Sequence, residues 1–475
     1  LPNLWNKCKF AHLKSRNKCK LPMLQRKITH KIEEYLRSSS NKMLLVDGAR
    51  QIGKTYIIRH VCSAMFPNYI EINMEEDRQH DRLFANAKTI QSFYFALSSI
   101  AGEKMGNRSD TVVFIDEIQA YDHLLTLVKF LMQDGKFTFV ASGSLLGVTL
   151  KKTQSVPVGS LQQLHMYPLD FEEFLWANGV GDLAIQEMKR CYESNEALPE
   201  AMHRKMMGLF RVYLLVGGLP DAVNSYLADH NIMKVRKIQE DVIDLYFDDA
   251  AKYEMESSKK LKIQRIYEMI PSNMENRRKR MVINSIEDKQ GARTSTYSEE
   301  FEYLVSSGIA LEVDAISNPT YPLVQNAGKN LLKLYMNDVG LLTWLLYRNN
   351  IMPILDDVKS INLGSVYETV VAQELWAHGF ELYYYDNKKN GEVDYLVDDV
   401  MTMSSLPIEV KSGKDYMVHS ALDKFMKNPD YNVHKAIVVS NEREITVKDG
   451  IKYMPIYDIM FLSRDLELDE SQMFF

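Results

Sequence analysis

Cysteine is scarce: Cys8, Cys19, Cys62 and Cys191 are the only four in 475 residues, widely spaced and with no C-x-x-C pair. That argues against a disulfide framework and a cysteine zinc site, and suits a reducing cytoplasm. No run of about 18 apolar residues occurs, so no membrane span is expected. A charge excess of either sign is missing too, with a net charge of -6 and an isoelectric point near 6.1. The chain as a whole is therefore no polyanion binder, and any nucleic-acid surface must be a local patch. There is no Ser/His/Asp constellation and no His/Cys cluster at metal spacing; His378 and His419 stand alone. The opening segment is basic (Lys7, Lys9, Lys14, Arg16, Lys18, Lys20) but lacks the apolar core of a secretory signal. Because the sequence opens on Leu1, residues 1–22 are expected to be an extension, with the functional chain starting near Met23; a mitochondrial-type presequence is the weaker alternative.

Hydrophobic residues make up 46% and charged residues 25%, the balance of a globular chain long enough for two to four domains. Gly48-Ala49-Arg50-Gln51-Ile52-Gly53-Lys54-Thr55 matches G-x-x-x-x-G-K-[ST] at every required position. Met43–Val46 before it reads as a buried strand, and Tyr56-Ile57-Ile58 after it as the start of a helix. Glycines let backbone N–H groups close around an anion, and the helix N-terminus adds partial positive charge. Lys54 can reach the β- and γ-phosphates, and the Thr55 hydroxyl can ligate Mg²⁺. All eight residues are candidate ATP-binding positions.

Further along, a helix is expected over residues 23–40, a strand at Tyr69–Asn73 and a helix at Ile90–Ala101. Thr111–Ile115 is an apolar strand ending in Asp116 and Glu117. At that distance from a phosphate loop the pair reads as Asp116 for the Mg²⁺ shell and Glu117 to orient or deprotonate water. Phe137–Ala141 is another strand, running into Ser142-Gly143-Ser144; Ser142 and Ser144 are candidates to touch the γ-phosphate or the attacking water. Such alternation implies a parallel sheet with helices on both faces. The stretch from Leu161 to about Tyr253 reads as helical, broken at Gly217-Gly218-Leu219-Pro220.

The series Gly-Ala-Arg-Gln-Ile-Gly-Lys-Thr, Phe114-Ile115-Asp116-Glu117-Ile118-Gln119, Ala141-Ser142-Gly143-Ser144, Met166-Tyr167-Pro168-Leu169-Asp170-Phe171-Glu172-Glu173-Phe174-Leu175 and Gly217–Val223 resembles the prokaryotic AAA+-type ATPases with an uncharacterised C-terminal domain. The resemblance runs from about Leu24 to the end. It implies ATP hydrolysis with Mg²⁺, a helical lid after the nucleotide core, and packing duty for the Pro-Leu-Asp-Phe-Glu-Glu-Phe segment. One departure is Gly159-Ser160, where such proteins often carry a basic residue. Arg204 and Arg211 are then the candidates for a trans-acting arginine, which would make the chain a homo-oligomer.

From Lys260 the pattern changes. Three short helical segments (Ile263–Ile270, Val282–Lys289, Ser295–Ser306) precede a strand at Gly308–Val313, an order that resembles a winged helix. Ser295-Thr296-Tyr297 would open its reading helix. Arg277-Arg278-Lys279-Arg280 is the densest basic run, a candidate phosphate contact or a solvated face; Glu299, Glu300 and Glu302 argue against simple insertion into a DNA groove.

Near the C-terminus, Gly391–Val397 carries Asp394 on one strand, and Leu406–Gly413 carries Glu409 and Lys411 on the next. Period-two alternation puts Glu409 and Lys411 on one face. Glu368, at the start of a helix from Gly364, can join them, and Ala436–Ser440 adds a buried strand. This order resembles the PD-(D/E)xK nuclease fold, which implies a second Mg²⁺ or Mn²⁺ at Glu368, Asp394 and Glu409 with Lys411 as catalytic lysine.

The expected architecture is a multidomain α/β chain: an extension (1–22), a parallel-sheet P-loop ATPase core (23–160), a helical lid (161–259), a winged-helix domain (260–350) and a restriction-endonuclease-like α/β domain (351–475). Expected partners are ATP, with DNA, a protein or a second copy of the chain as further candidates. DNA binding or cleavage powered by ATP is the first reading, and an ATP-driven switch that only binds a partner is the second.

Overall fold

The computed structural model describes residues 23–38, 40–144, 148, 158–253, 257–276, 279–287, 291, 293–355, 363–413 and 416–464. The expected extension, Cys8, Cys19, Arg277, Arg278 and Lys289 lie outside the described residues.

The first half is built on β1 (Met43–Asp47), β2 (Asn68–Asn73), β3 (Thr111–Asp116), β4 (Thr138–Gly143) and β5 (Leu161–His165). They form one parallel sheet in the order β2-β3-β4-β1-β5. The alternating pleat splits the apolar strands between two cores. Leu44, Val46, Val112, Phe114 and Val140 face one way, against α1 (Lys27–Arg37) and α2 (Lys54–Met65). Met43, Leu45, Val113, Ile115, Phe139 and Ala141 face the other, against a layer that includes α3 (Met74–Gln79), α4 (Ile90–Ala101) and α5 (Asp122–Asp134). With both faces covered, the strands read as continuous hydrophobic runs, as a buried parallel sheet requires.

Leu161–His165 departs from the helical reading. It is an edge strand, paired with β1 from Met43↔Leu161 to Asp47↔His165. Leu161-Gln162-Gln163-Leu164 has apolar residues three apart, so its spacing suits a helix turn as well as a half-exposed strand, and pairing with β1 decides.

Helices follow: α6 (Phe171–Ala177), α7 (Asp182–Ser194), α8 (Glu200–Val216), α9 (Pro220–Asp229), α10 (Ile232–Tyr253) and α11 (Ser257–Glu275). Asp170 caps α6 by accepting from the Glu173 N–H, and the Glu173 side chain returns the bond. Pro220 stands in the first turn of α9, where its missing N–H is harmless.

The first of the three expected short helices, Ile263–Ile270, lies within α11; in place of the other two stand 3-10 turns at Ile283–Ser285 and Thr294–Tyr297 and one helix, α12 (Ser298–Ser306). Tyr297 is fully buried, so the turn expected to open a reading helix points its aromatic inward. The strands that follow, β6 (Ala310–Ile316) and β7 (Ala327–Met336), join the C-terminal strands. With β8 (Tyr383–Asn387), β9 (Gly391–Asp399), β10 (Ser404–Val410), β11 (Ala436–Ser440), β12 (Thr446–Lys448) and β13 (Ile451–Pro455) they make one mixed sheet in the order β12-β13-β11-β10-β9-β8-β6-β7. The expected boundary at 350 therefore falls inside a set of strands that share hydrogen bonds, through β6 and β8. Between them in sequence lie α13 (Val339–Tyr347), α14 (Met352–Leu355) and α15 (Gly364–Ala377); α16 (Ser420–Met426) comes after β10.

One continuous hydrophobic core runs from Ile28 through the helices to Met460 and includes Tyr384, Tyr395 and Val410 of the second sheet. The nucleotide half and the C-terminal half are thus packed together rather than tethered.

Candidate functional sites

The phosphate loop connects β1 to α2. Gly48 sits at φ 133° and Gly53 at φ 93°, conformations that side-chain-bearing residues rarely adopt. A Cβ on Gly48 would also lie 2.2 Å from the Met166 carbonyl oxygen. The Lys54 ammonium donates to the Gly48 and Ala49 carbonyls at 2.9 and 2.7 Å, curling the loop around it. Burial pushes the Lys54 pKa down to about 8, against the pull of Glu117, Asp116 and Asp47.

Thr55 Oγ1 donates to Asp116 Oδ2 at 3.0 Å. The same carboxylate receives Asn73 Nδ2 at 3.3 Å and the Ser142 hydroxyl. Burial, then Glu117, raises the Asp116 pKa, opposed by Ser142, Thr55 and Lys54. A hydroxyl beside a carboxylate is a hard-oxygen donor set, which fits Mg²⁺. Glu117 is held in a left-handed conformation, φ 52°. Its carboxylate accepts from Gln119 Nε2, from the Ser144 backbone N–H at 3.3 Å and from Ser144 Oγ at 3.2 Å.

Lys54, Thr55, Asp116, Glu117, Ser142 and Ser144 therefore converge, and the two serines engage the carboxylates. Asn73 and Gln119 were missed; an amide at the end of a strand or in a turn carries no signal until its neighbours are known. A cavity of about 720 Å³ opens beside the loop, with Met23, Leu24, Met166 and Pro220 among its lining. That volume suits a small organic ligand. Of the candidate arginines, Arg204 is exposed and pairs with Glu200 on its own helix at 2.8 Å, and Arg211 is half-buried within α8.

The back of the loop is in contact with the C-terminal half. The Arg50 guanidinium pairs with buried Asp249 of α10. Tyr246 Oη lies 3.4 Å from the Arg50 carbonyl. Gly308, just before β6, lies so close that a Cβ there would be 3.2 Å from the Ala49 nitrogen.

Beside the second sheet, Glu368 on α15, Asp394 on β9 and Glu409 on β10 lie close together, with Lys411 just beyond β10; burial, then the Asp394 carboxylate, raises the pKa values of both Glu368 and Glu409. Burial, then Asp394, pushes Glu409 up to about 8. Lys411 Nζ pairs with Glu409 Oε1 at 2.7 Å, while Asp394 Oδ2 accepts the Val410 N–H at 2.8 Å. Glu368 receives the Lys279 ammonium on Oε1 and the Tyr335 hydroxyl on Oε2, the latter at 3.2 Å.

The metal expected here does not fit this arrangement. Glu368 is already engaged by a cation and a hydroxyl, and among the described residues no three His, Cys, Asp or Glu side chains form a metal-holding group. Nor do the described members of the basic run form an open face: Arg280 pairs with Asp386 at 2.6 Å, and both Lys279 and Arg280 turn toward carboxylates. Lone His378 lies 3.6 Å from Asp170, and His419 bonds the Tyr453 hydroxyl at 2.7 Å.

An AAA domain model matches residues 40–175. Two domains of unknown function, DUF8612 and DUF4143, match residues 207–351 and 363–459. The first half of the chain thus carries an AAA-type P-loop ATPase domain. Similar solved structures include the Walker-type ATPase PABY2304 of Pyrococcus abyssi, 18% identical over 68% of this chain and 96% of that one, with a TM-score of 0.42. The Hsp104–ADP complex of S. cerevisiae is 15% identical over 60% and 38%, TM-score 0.28. RuvB T158V of Thermotoga maritima is 15% identical over 60% and 89%, TM-score 0.27. No curated protein matches the sequence. No described helix is long and apolar enough to cross a membrane.

Proposed function

We propose that the chain is an ATP-driven switch, in which hydrolysis at the phosphate loop changes how the C-terminal module meets a macromolecular partner. Lys54 and the loop N–H groups hold the β- and γ-phosphates. Thr55 and Asp116 hold Mg²⁺, which would supply neutralising charge to the phosphates. Glu117 orients and deprotonates water, and its bonds to Gln119 and Ser144 set its direction. The observation that carries the coupling is the contact of α10 and Gly308 with Arg50 and Ala49: a loop that moves with its phosphate load moves against the C-terminal half.

A second reading, metal-dependent DNA cleavage, rests on the convergence of Glu368, Asp394, Glu409 and Lys411 and requires Lys279 to leave Glu368 before a metal can bind there. A paired assay separates the two. ATP turnover is measured with and without duplex DNA, and DNA integrity with and without ATP, in Mg²⁺ and in Mn²⁺. The switch reading expects ATP turnover with intact DNA in both metals. Cleavage that disappears in Lys411→Ala would replace it with the nuclease reading, and absence of ATP turnover under all conditions would overturn the switch.

A further inference from the structure

The C-terminal carboxylate cluster holds a cation that belongs to the protein. Glu368 is 3% exposed and Glu409 7%, so neither charge is relieved by water. Buried carboxylates need a cationic partner or a proton. Lys411 serves Glu409 from the next residue but one along the chain. Lys279 serves Glu368 from 89 residues away in sequence.

The described residues on either side of Lys279 are held in place. At the end of α11, Glu275 accepts the Ser365 hydroxyl at the start of α15. Lys279 itself has φ 50°, a left-handed turn that an L-residue adopts only when its surroundings require it. Arg280 bonds Asp386 at 2.6 Å and lies 3.8 Å from Glu392. The Met281 N–H donates to the Leu332 carbonyl of β7 at 3.0 Å, and the Val282 N–H to Asn273 Oδ1 at 3.1 Å.

We propose that Lys279 is the resident cation of this cluster, taking the position at Glu368 that a divalent metal would need and keeping the cluster closed to metal. Magnesium requires about six oxygen ligands near 2.0–2.1 Å in octahedral array. Glu368 Oε1 faces the ammonium and Oε2 the Tyr335 hydroxyl, so a divalent ion at this carboxylate would meet the lysine's positive charge at contact distance. A lysine ammonium is satisfied with fewer, looser contacts, and it is covalently attached, so it is always present at the site.

The test is Mn²⁺ titration of the full chain without nucleotide, read by the electron paramagnetic resonance of the free ion. A Thr55→Ala background is used throughout, so that the phosphate-loop site does not contribute. With Lys279 present, no Mn²⁺ site is expected at Glu368. Lys279→Ala and Lys279→Gln are each expected to gain one site, binding at least about tenfold tighter than any site in the Lys279 protein, and to lose it when Glu368→Gln is added. Equal Mn²⁺ affinity with and without Lys279 would overturn the proposal, and so would no gain in either variant. A measurement that needs no folded variant is lysine acylation of the wild-type chain followed by mass spectrometry. Lys279 is expected to react at least about tenfold more slowly than exposed Lys388, and equal reactivity would refute a docked ammonium.

Discussion

Asp338, between β7 and α13, is fully buried and ties the lid turn to the C-terminal half. Its Oδ2 accepts the Gly218 N–H at 2.6 Å and its Oδ1 accepts the Leu341 N–H at 3.1 Å, capping α13. The turn is glycine because of this carboxylate and its neighbours: a Cβ on Gly217 would sit 2.1 Å from Asp338 Oδ1, and one on Gly218 2.1 Å from the Leu169 carbonyl. Burial outweighs the nearby backbone N–H groups, the two hydrogen-bonded ones and that of Gly340, and pushes the Asp338 carboxyl up to about 6. A raised pKa means that the folded state holds a proton the unfolded chain releases. The associated stability is fully present below the unfolded pKa near 3.8 and is lost as pH rises through about 6, a loss of roughly 3 kcal/mol.

Asp338→Asn should remove that loss, because the amide does not titrate. It faces the two N–H groups with one acceptor, as the protonated acid does, so at pH 4 the variant and wild type should be about equally stable. Above pH 7 the variant should be the more stable by roughly 3 kcal/mol. Asp338→Ala has no acceptor and leaves two buried N–H groups unpaired, at about 1–3 kcal/mol each, so it should be destabilised at every pH. The assay is denaturant unfolding from pH 4 to 8, supported by exchange protection of the Gly218 and Leu341 amides. A gap between Asn and wild type that stays flat or closes with rising pH would refute the buried-charge argument.

Lys54→Ala should abolish tight Mg-ATP binding, whereas Glu117→Gln should bind ATP normally and lose at least about a hundredfold in turnover; equilibrium binding and phosphate release separate the two. Arg26 bonds Glu173 at 3.0 Å, the Ile52 carbonyl of the phosphate loop at 3.1 Å and the Tyr167 carbonyl at 2.6 Å. Arg26→Ala leaves Glu173 without that partner in a buried setting and should lower stability by about 3–5 kcal/mol in the same unfolding assay, an outcome that a change under 1 kcal/mol would contradict.

The phosphate loop was legible because phosphate binding demands contiguous residues: the glycines, Lys54 and Thr55 must lie on one strand–loop–helix. Asp116 and Glu117 were legible because a fully apolar strand has one polar end. The four carboxylate-and-lysine residues near the C-terminus were also readable as a set, since two paired strands and one helix bring them together. Less legible were elements whose local pattern suits two structures. Leu161–His165 has the spacing of a helix turn and is a strand because β1 offers it a partner. Gly308–Val313 reads as a strand, yet only tertiary pairing assigns β6 to the same sheet as β8.

By itself the sequence determined the nucleotide chemistry, the parallel sheet that presents it and the residues available to the second cluster, because each follows from side-chain type at short spacing. Tertiary structure decided which charges meet. Lys279 stands in a basic run that looks made for solvent or phosphate, and it meets Glu368 where Met281, two residues on, bonds the Leu332 carbonyl of β7. Arg50 likewise reads as a variable position of the loop, and becomes a link to α10 only through Asp249. Contacts of this kind join residues 89 and 199 positions apart. Local propensity carries no information about them, since their energy exists only once the intervening chain has packed.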